Sequence, residues 1–144
     1  MLRTPGTSVP NMDIVAALFV EGINQRQAPG GAARIDLTGI MFSVPAPNPP
    51  PVTLTPHLVV IIRCPPDGVG QGTLEVEFLD ADGKQVARNV QPVTIQPGKF
   101  SRQLVKPEMA YEAYGTIEAH CHITGGADVV VPLTLLPAAP PAGP

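Results

Sequence analysis

The residues whose types and spacing best suit chemistry are Glu118, His120 and His122, in the run Glu118-Ala119-His120-Cys121-His122. On a strand, a side-chain period of two puts these three on one face and Ile117, Ala119, Cys121 and Ile123 on the other. Imidazoles at i and i+2 can converge on zinc, copper or iron, whose nitrogen bonds are ~2.0 Å long. Glu118, or His57 from another strand, would supply a third ligand. The simpler reading ranks first: this is the solvated side of a strand, decorated by Thr116, Glu118, His120, His122 and Thr124. No second histidine or carboxylate motif stands at a telling distance, so the expectation is no cofactor, with a divalent transition metal as the alternative.

Other candidates carry less. Cys64 and Cys121 are 57 residues apart, a separation compatible with the inter-sheet disulfide of immunoglobulin domains. The chain has no tryptophan to pack on such a bridge, and Ala119 stands two residues before Cys121, where a tyrosine corner needs Tyr. Two separate buried thiols are expected, and no neighbouring base marks either as a nucleophile. Gly68-Val69-Gly70-Gln71-Gly72 lacks the following helix and Lys-Ser/Thr of a phosphate loop. Asp80-Ala81-Asp82-Gly83 lacks the third oxygen ligand and closing glutamate of a calcium loop, and reads as a turn. Ser8, Ser43 and Ser101 sit in no nucleophile elbow, so no catalytic residue is assigned. Pro47 to Pro50 forms a Pro-x-x-Pro element that reads as a rigid linker.

The elements that would position these residues are strands. The 19 prolines and 14 glycines cluster between apolar runs, which they punctuate. Asp13 to Gln25 is apolar on every face near its start and reads as a buried strand, with a short helix as the alternative. Arg34 to Val44 begins with alternation, Arg34, Asp36 and Thr38 against Ile35 and Leu37. His57 to Cys64 is apolar on both faces and suits a central strand covered on both sides. Thr73 to Leu79 and Gln85 to Val90 form a hairpin across Asp80-Ala81-Asp82-Gly83. Val93 to Ile95 and Phe100 to Val105 suggest a second hairpin, because Pro97-Gly98 fits the centre of a type II turn. Lys106 to Tyr114 is read as one helical turn. Thr116 to Thr124 and Ala127 to Leu136 pair across Gly125-Gly126, and Pro132 marks the latter as an edge strand.

These strands predict an all-β fold, an antiparallel two-sheet sandwich of seven to eight strands, immunoglobulin-like in broad architecture, with a small barrel as the alternative. The expected organisation is a flexible segment 1–12, one domain over 13–136 with a Pro-rich connection at 45–56, and a disordered Pro-rich tail at 137–144. A net charge of −3 and only 4% aromatic residues argue against nucleic acid as a partner. The apolar run from Ile14 to Val20 is far shorter than a membrane span. The N-terminus lacks the pattern of a secretory leader, and the expected location is cytoplasmic.

Four stretches resemble a family of small uncharacterised bacterial β-sandwich proteins: Val20-Glu21-Gly22-Ile23-Asn24, Arg34 to Ile40, Leu58-Val59-Val60, and Leu79-Asp80-Ala81-Asp82-Gly83. The resemblance covers roughly the first two thirds of the chain and implies the fold while assigning no activity. The balance of features is against an enzyme. It points to a binding or structural module acting through a sheet face, an edge strand or loops, with a protein partner or self-association. The alternatives are a metal-binding protein or metal-dependent enzyme built on the His-x-His strand, and an accessory subunit of a larger assembly.

Overall fold

Alternating and β-branched runs separated by Pro and Gly leave the backbone little choice but extended pairing. The structure is a computed structural model and describes residues 11–138. Every regular element among those residues is a strand. In chain order these are β1 (Asp13–Gln27), β2 (Ala33–Met41), β3 (Ser43–Pro45), β4 (Val52–Leu54), β5 (His57–Arg63), β6 (Gln71–Leu79), β7 (Gln85–Thr94), β8 (Phe100–Val105), β9 (Met109–Tyr111), β10 (Gly115–Ile123) and β11 (Val129–Leu136). They form a four-stranded sheet in the order β2-β1-β5-β8, a five-stranded sheet in the order β3-β11-β10-β6-β7, and the pair β4-β9. Each sheet is open, so the barrel alternative is set aside.

The two larger sheets feed one apolar cluster. Ala17, Phe19, Leu58, Val60 and Ile62 come from the four-stranded sheet. Leu74, Val76, Phe78, Ile117, Ala119, Cys121, Ile123 and Leu133 come from the five-stranded sheet. The opening segment is a strand, as expected, and its first half pairs with β5 while its whole second half pairs with β2. β5 occupies an interior position between β1 and β8.

The β6–β7 hairpin forms as expected. Asp80 accepts backbone N–H bonds from Asp82 and Lys84 through one carboxylate oxygen, at 2.9 Å each, which fixes the turn. The β10–β11 hairpin also forms, closed by a bond from the Gly126 N–H to the Ile123 carbonyl.

Three expectations are corrected. The turn at Gln96 to Lys99 exists, with Gly98 at φ 83° and the Lys99 N–H bonded to the Gln96 carbonyl. It does not close a hairpin: β7 pairs with β6 and β8 pairs with β5, so the turn carries the chain from one sheet to the other. Turn chemistry sets a local reversal, and the pairing partner is chosen by burial. Lys106 to Tyr114 forms no helical turn. Its centre is β9, where Met109 and Tyr111 are buried and Tyr111 donates its hydroxyl to the Leu133 carbonyl at 2.6 Å. The strand count rises from the expected seven or eight to eleven: three short strands of three residues each add to it, β3 at the end of the segment read as one strand from Arg34 to Val44, β4 within the Pro-rich connection and β9 within the segment read as a helical turn. Pro45 ends β3 opposite Leu136 and Ala46 donates to the Leu136 carbonyl, so proline is tolerated there at a strand end.

The expected flexible N-terminal segment lies outside the described residues up to residue 10. Asn11 and Met12 are described: Met12 is buried in the core and the Asn11 amide donates to the Gly125 carbonyl. The tail beyond residue 138 likewise lies outside the described residues.

The expected edge position of Pro132 is half correct. β3 covers β11 only along Thr134–Leu136. Thr134 donates to the Phe42 carbonyl and Leu136 accepts from Ala46, so the even-numbered residues of β11 turn their backbone groups toward that side. Pro132 therefore faces the open half of the edge, where its missing N–H costs nothing.

Beyond Val20, β1 leaves β5 and continues with β2 alone as a two-stranded ribbon, residues 21–39. A straight ribbon would carry Gln25 ~17 Å past the end of the sheet. Yet Arg102 of β8, which lies opposite Ile61 and well inside the sheet, reaches the Gln25 side-chain carbonyl at 3.3 Å. The ribbon therefore curls back over the sheet. Gly22 and Gly39 sit at its root. Gly39 has φ 65°, and a Cβ there would meet the Glu21 carboxylate at 1.9 Å.

Candidate functional site

Strand alternation delivers Glu118, His120 and His122 to the outer face of the five-stranded sheet, as expected, because Ile117, Ala119, Cys121 and Ile123 are buried on the other face. The Glu118 carboxylate lies 3.2 Å from His120 Nε2. His122 Nδ1 lies 2.6 Å from a carboxylate oxygen of Asp128. The neighbouring strand β6 sets Glu77 opposite His120 and Glu75 opposite His122. Glu75 in turn accepts from Arg88 Nε at 2.8 Å. Each histidine is thus committed to its own carboxylate.

Asp128 is the participant that sequence reading missed. The signal was in the hairpin register: pairing Cys121 with Val129 places His122 and Asp128 next to each other across the loop. His57 stands apart from these groups. It belongs to β5 in the four-stranded sheet, opposite Val20, and lines a shallow cleft with Glu21, Met41, Thr55 and Pro56. Among the described residues, no three His, Cys, Asp or Glu side chains are grouped to hold a metal ion.

Cys121 and Cys64 are both unpaired and buried. Burial, helped by the negative charge of Asp128, pushes the Cys121 thiol up to about 12. It stays protonated at neutral pH and packs as a small apolar group. The Cys64 thiol donates toward the Pro65 carbonyl at 3.5 Å. Burial also raises the Tyr111 phenol well above the ordinary tyrosine range, which keeps it a hydroxyl donor to Leu133.

Two clefts stand out among the described residues. One, of about 130 Å³, lies between the β6–β7 turn and the segment from Ala110 to Ile117, with Asp82, Glu112 and Tyr114 at its walls. The other, of about 240 Å³, is the one beside His57. Both fall below the roughly 300 Å³ at which enclosed sites for small organic ligands begin.

The feature with the largest unexplained apolar character is the outer face of the four-stranded sheet. The registers of β1, β2, β5 and β8 put Leu18, Val20, Ile40, Val59, Ile61, Phe100 and Leu104 there together. Val20 and Val59 point away from the core cluster and are still only 1% exposed. Val20 borders the His57 cleft with Thr55 and Pro56, and Val59 lies between Leu18 and Leu104 of the flanking strands. Ile40 and Phe100 are left 48% and 60% exposed. Sequence reading saw β5 as apolar on both faces but did not extend the pattern to Leu18, Ile40 and Leu104 on the flanking strands.

The face is rimmed by charge. Arg63 and Arg102 stand on β5 and β8, and Asp13 pairs with Arg63 at 3.9 Å at the end of β1. Comparison with known proteins adds no relative: no family model matches the chain, and no curated protein matches it.

Proposed function

We propose that the protein is a non-catalytic binding or structural module, a two-sheet sandwich of broadly immunoglobulin-like architecture that contacts a protein partner through the outer face of its four-stranded sheet. One observation carries this reading: Leu18, Val20, Ile40, Val59, Ile61, Phe100 and Leu104 make both faces of that sheet apolar, although only one of them lies against the core. A sheet apolar on both faces is stable in water when both are covered, and the ribbon covers only part of the second face. The small volume of both clefts and the high thiol pKa of Cys121 turn the reading away from small-molecule chemistry.

Hydroxyl-radical footprinting tests it, by comparing the purified protein at low concentration with the same protein in extract of the cells that make it. Protection of Phe100, Ile40 and Leu104 in extract is the expected result. Protection confined to the His120 and His122 face, or none at all, would overturn the reading.

A further inference from the structure

We infer that the free edge of β8 is a docking site for an extended acidic segment of a partner protein, which adds to the four-stranded sheet as a further strand. The inference rests on the preceding reading and gives it a mode of contact and a partner chemistry. The backbone at this edge is open: β8 ends the order β2-β1-β5-β8, and among the described residues no strand pairs with its far side. Cys64 donates its N–H to the Lys99 carbonyl, so odd-numbered residues turn their backbone groups toward β5. Phe100, Arg102 and Leu104 therefore turn theirs outward. The Gln91 side chain fits that parity, since it reaches from β7 of the other sheet to donate to the Leu104 carbonyl at 2.9 Å.

The edges of the five-stranded sheet are guarded by proline. Pro132 stands on the open half of β11. On β7 the odd-numbered Ile95 donates to the Gly70 carbonyl, so the even-numbered Pro92 turns its nitrogen to the free side. β8 carries no proline. Charge then chooses the partner. Residues 83–107 contain Lys84, Arg88, Lys99, Arg102 and Lys106 and no carboxylate. Lys99 and Lys106 flank β8, and Arg102 stands at its middle. Among the described residues no ion pair involves these three, and Arg102 donates to the neutral side-chain carbonyl of Gln25. A second β8 edge laid antiparallel on the first would set cation against cation, which disfavours pairing with another copy. An acidic strand meets attraction at the same positions. The β2 edge at the other end of the sheet makes no such selection, because it mixes Arg34 with Asp36, and Asp36 is already paired with Arg26.

The pleat extends the specification to side chains. Residues of the added strand that share the outer face lie beside Phe100, Arg102 and Leu104, which calls for apolar, acidic and apolar side chains at alternate positions. The residues between them turn toward the rim where Ser101 and Gln103 point inward and Gln91 crosses from β7, which calls for Ser or Thr. Such a segment covers the exposed ring of Phe100 with its first apolar residue, and the Gln91 bond to the Leu104 carbonyl ends the docking stretch.

The probe is the peptide acetyl-Ser-Val-Thr-Glu-Thr-Val-Ser-amide, added to the full-length chain up to millimolar concentration, with amide hydrogen exchange by NMR as the readout. In the chain alone the amides of Phe100, Arg102 and Leu104 exchange fast and those of Ser101 and Gln103 slowly. With peptide at ~10 times its Kd, the three fast amides slow about tenfold and the two slow ones stay as they were. A peptide with Lys in place of Glu gives no slowing on the native chain, and Arg102→Glu, checked by circular dichroism, reverses the preference between the two peptides. No slowing at millimolar peptide, slowing that ignores the peptide's charge, or slowing without the even-odd pattern overturns the inference. Binding to vesicles of anionic lipid with the edge amides still exchanging fast overturns it too. Footprint protection of Phe100, Ile40 and Leu104 in extract without the amide effect removes the strand addition and leaves the face as the contact. Absence of both removes the functional reading as well.

Discussion

The outer faces of the two large sheets are opposites, although the chain uses the same pleat to build both. On the five-stranded sheet, outward positions include Thr73, Glu75, Glu77, Arg88, Glu118, His120 and His122 beside the exposed Val90 and Val130, and in water Glu75 pairs with Arg88, Glu118 with His120 and His122 with Asp128. On the four-stranded sheet the corresponding positions hold Leu18, Val20, Val59, Ile61 and Leu104, with His57, Arg63 and Arg102 as the polar exceptions. The difference teaches where to look for function. A face of mutually satisfied ions has spent its chemistry on itself, whereas an apolar face that its own chain covers incompletely has unspent free energy for a partner.

The contrast breaks most sharply under a charge placed at the centre of each face. Val59→Asp buries an unpaired carboxylate and is expected to cost about 3 kcal/mol or more. His120→Asp at the central strand of the other sheet is expected to cost no more than about 1 kcal/mol, mostly from crowding the carboxylates of Glu77 and Glu118. Urea unfolding followed by circular dichroism measures both. Equal losses would mean that the two faces are equally dry and would dissolve the distinction.

A smaller effect tests the core that the two faces share. Tyr111→Phe removes the hydroxyl donor that the Leu133 carbonyl accepts in addition to its ladder bond, and should cost about 1 kcal/mol. The same region makes alkaline pH destabilising. Tyr111 and Cys121 are acids held neutral by burial, with folded pKa values above their unfolded ones. As pH rises the unfolded chain releases its protons first, so the unfolded state gains. Stability is therefore full below pH 9.0, the ordinary thiol value, and declines as pH climbs toward about 12. Cys121→Ala should flatten that decline, read as the unfolding midpoint against pH.

The smallest effects belong to the ionic face. Glu118→Ala and His122→Ala are each expected to shift stability within about 0.5 kcal/mol. Zinc titration by calorimetry should give no stoichiometric uptake, because each imidazole is already turned to its own carboxylate. One equivalent bound and lost in His120→Ala would promote this face above the apolar one.

How far the chain could be read from its letters follows from what each letter encodes. The two hairpins at Asp80–Lys84 and Ile123–Val129 were legible because turn residues act within four or five positions. The double-sided apolar character of β5 was legible because alternation is local. The crossing at Gln96–Lys99 was not, since an identical Pro-Gly turn serves a hairpin or a passage between sheets. The short strands β3, β4 and β9 were hidden because a three-residue pairing is decided by what lies next to it in space. At the site, Glu118, His120 and His122 were placed on one face by period two alone. Their separation from His57 and their tie to Asp128 depended on sheet assignment and loop register, neither of which has a signature in composition. The curl of the ribbon left no local mark except Gly22 and Gly39.

Pro132 has a bearing on the protein's life outside its folded state. It interrupts Val129-Val130-Val131 and Leu133, an uncharged, β-branched stretch beside an edge that β3 leaves half open. Without it the segment would be a continuous template for intermolecular stacking of amyloid type. Proline at this point acts as a gatekeeper, and Pro132→Val is expected to shorten the lag of thioflavin-positive fibril growth on mild heating while leaving the native fold nearly unchanged.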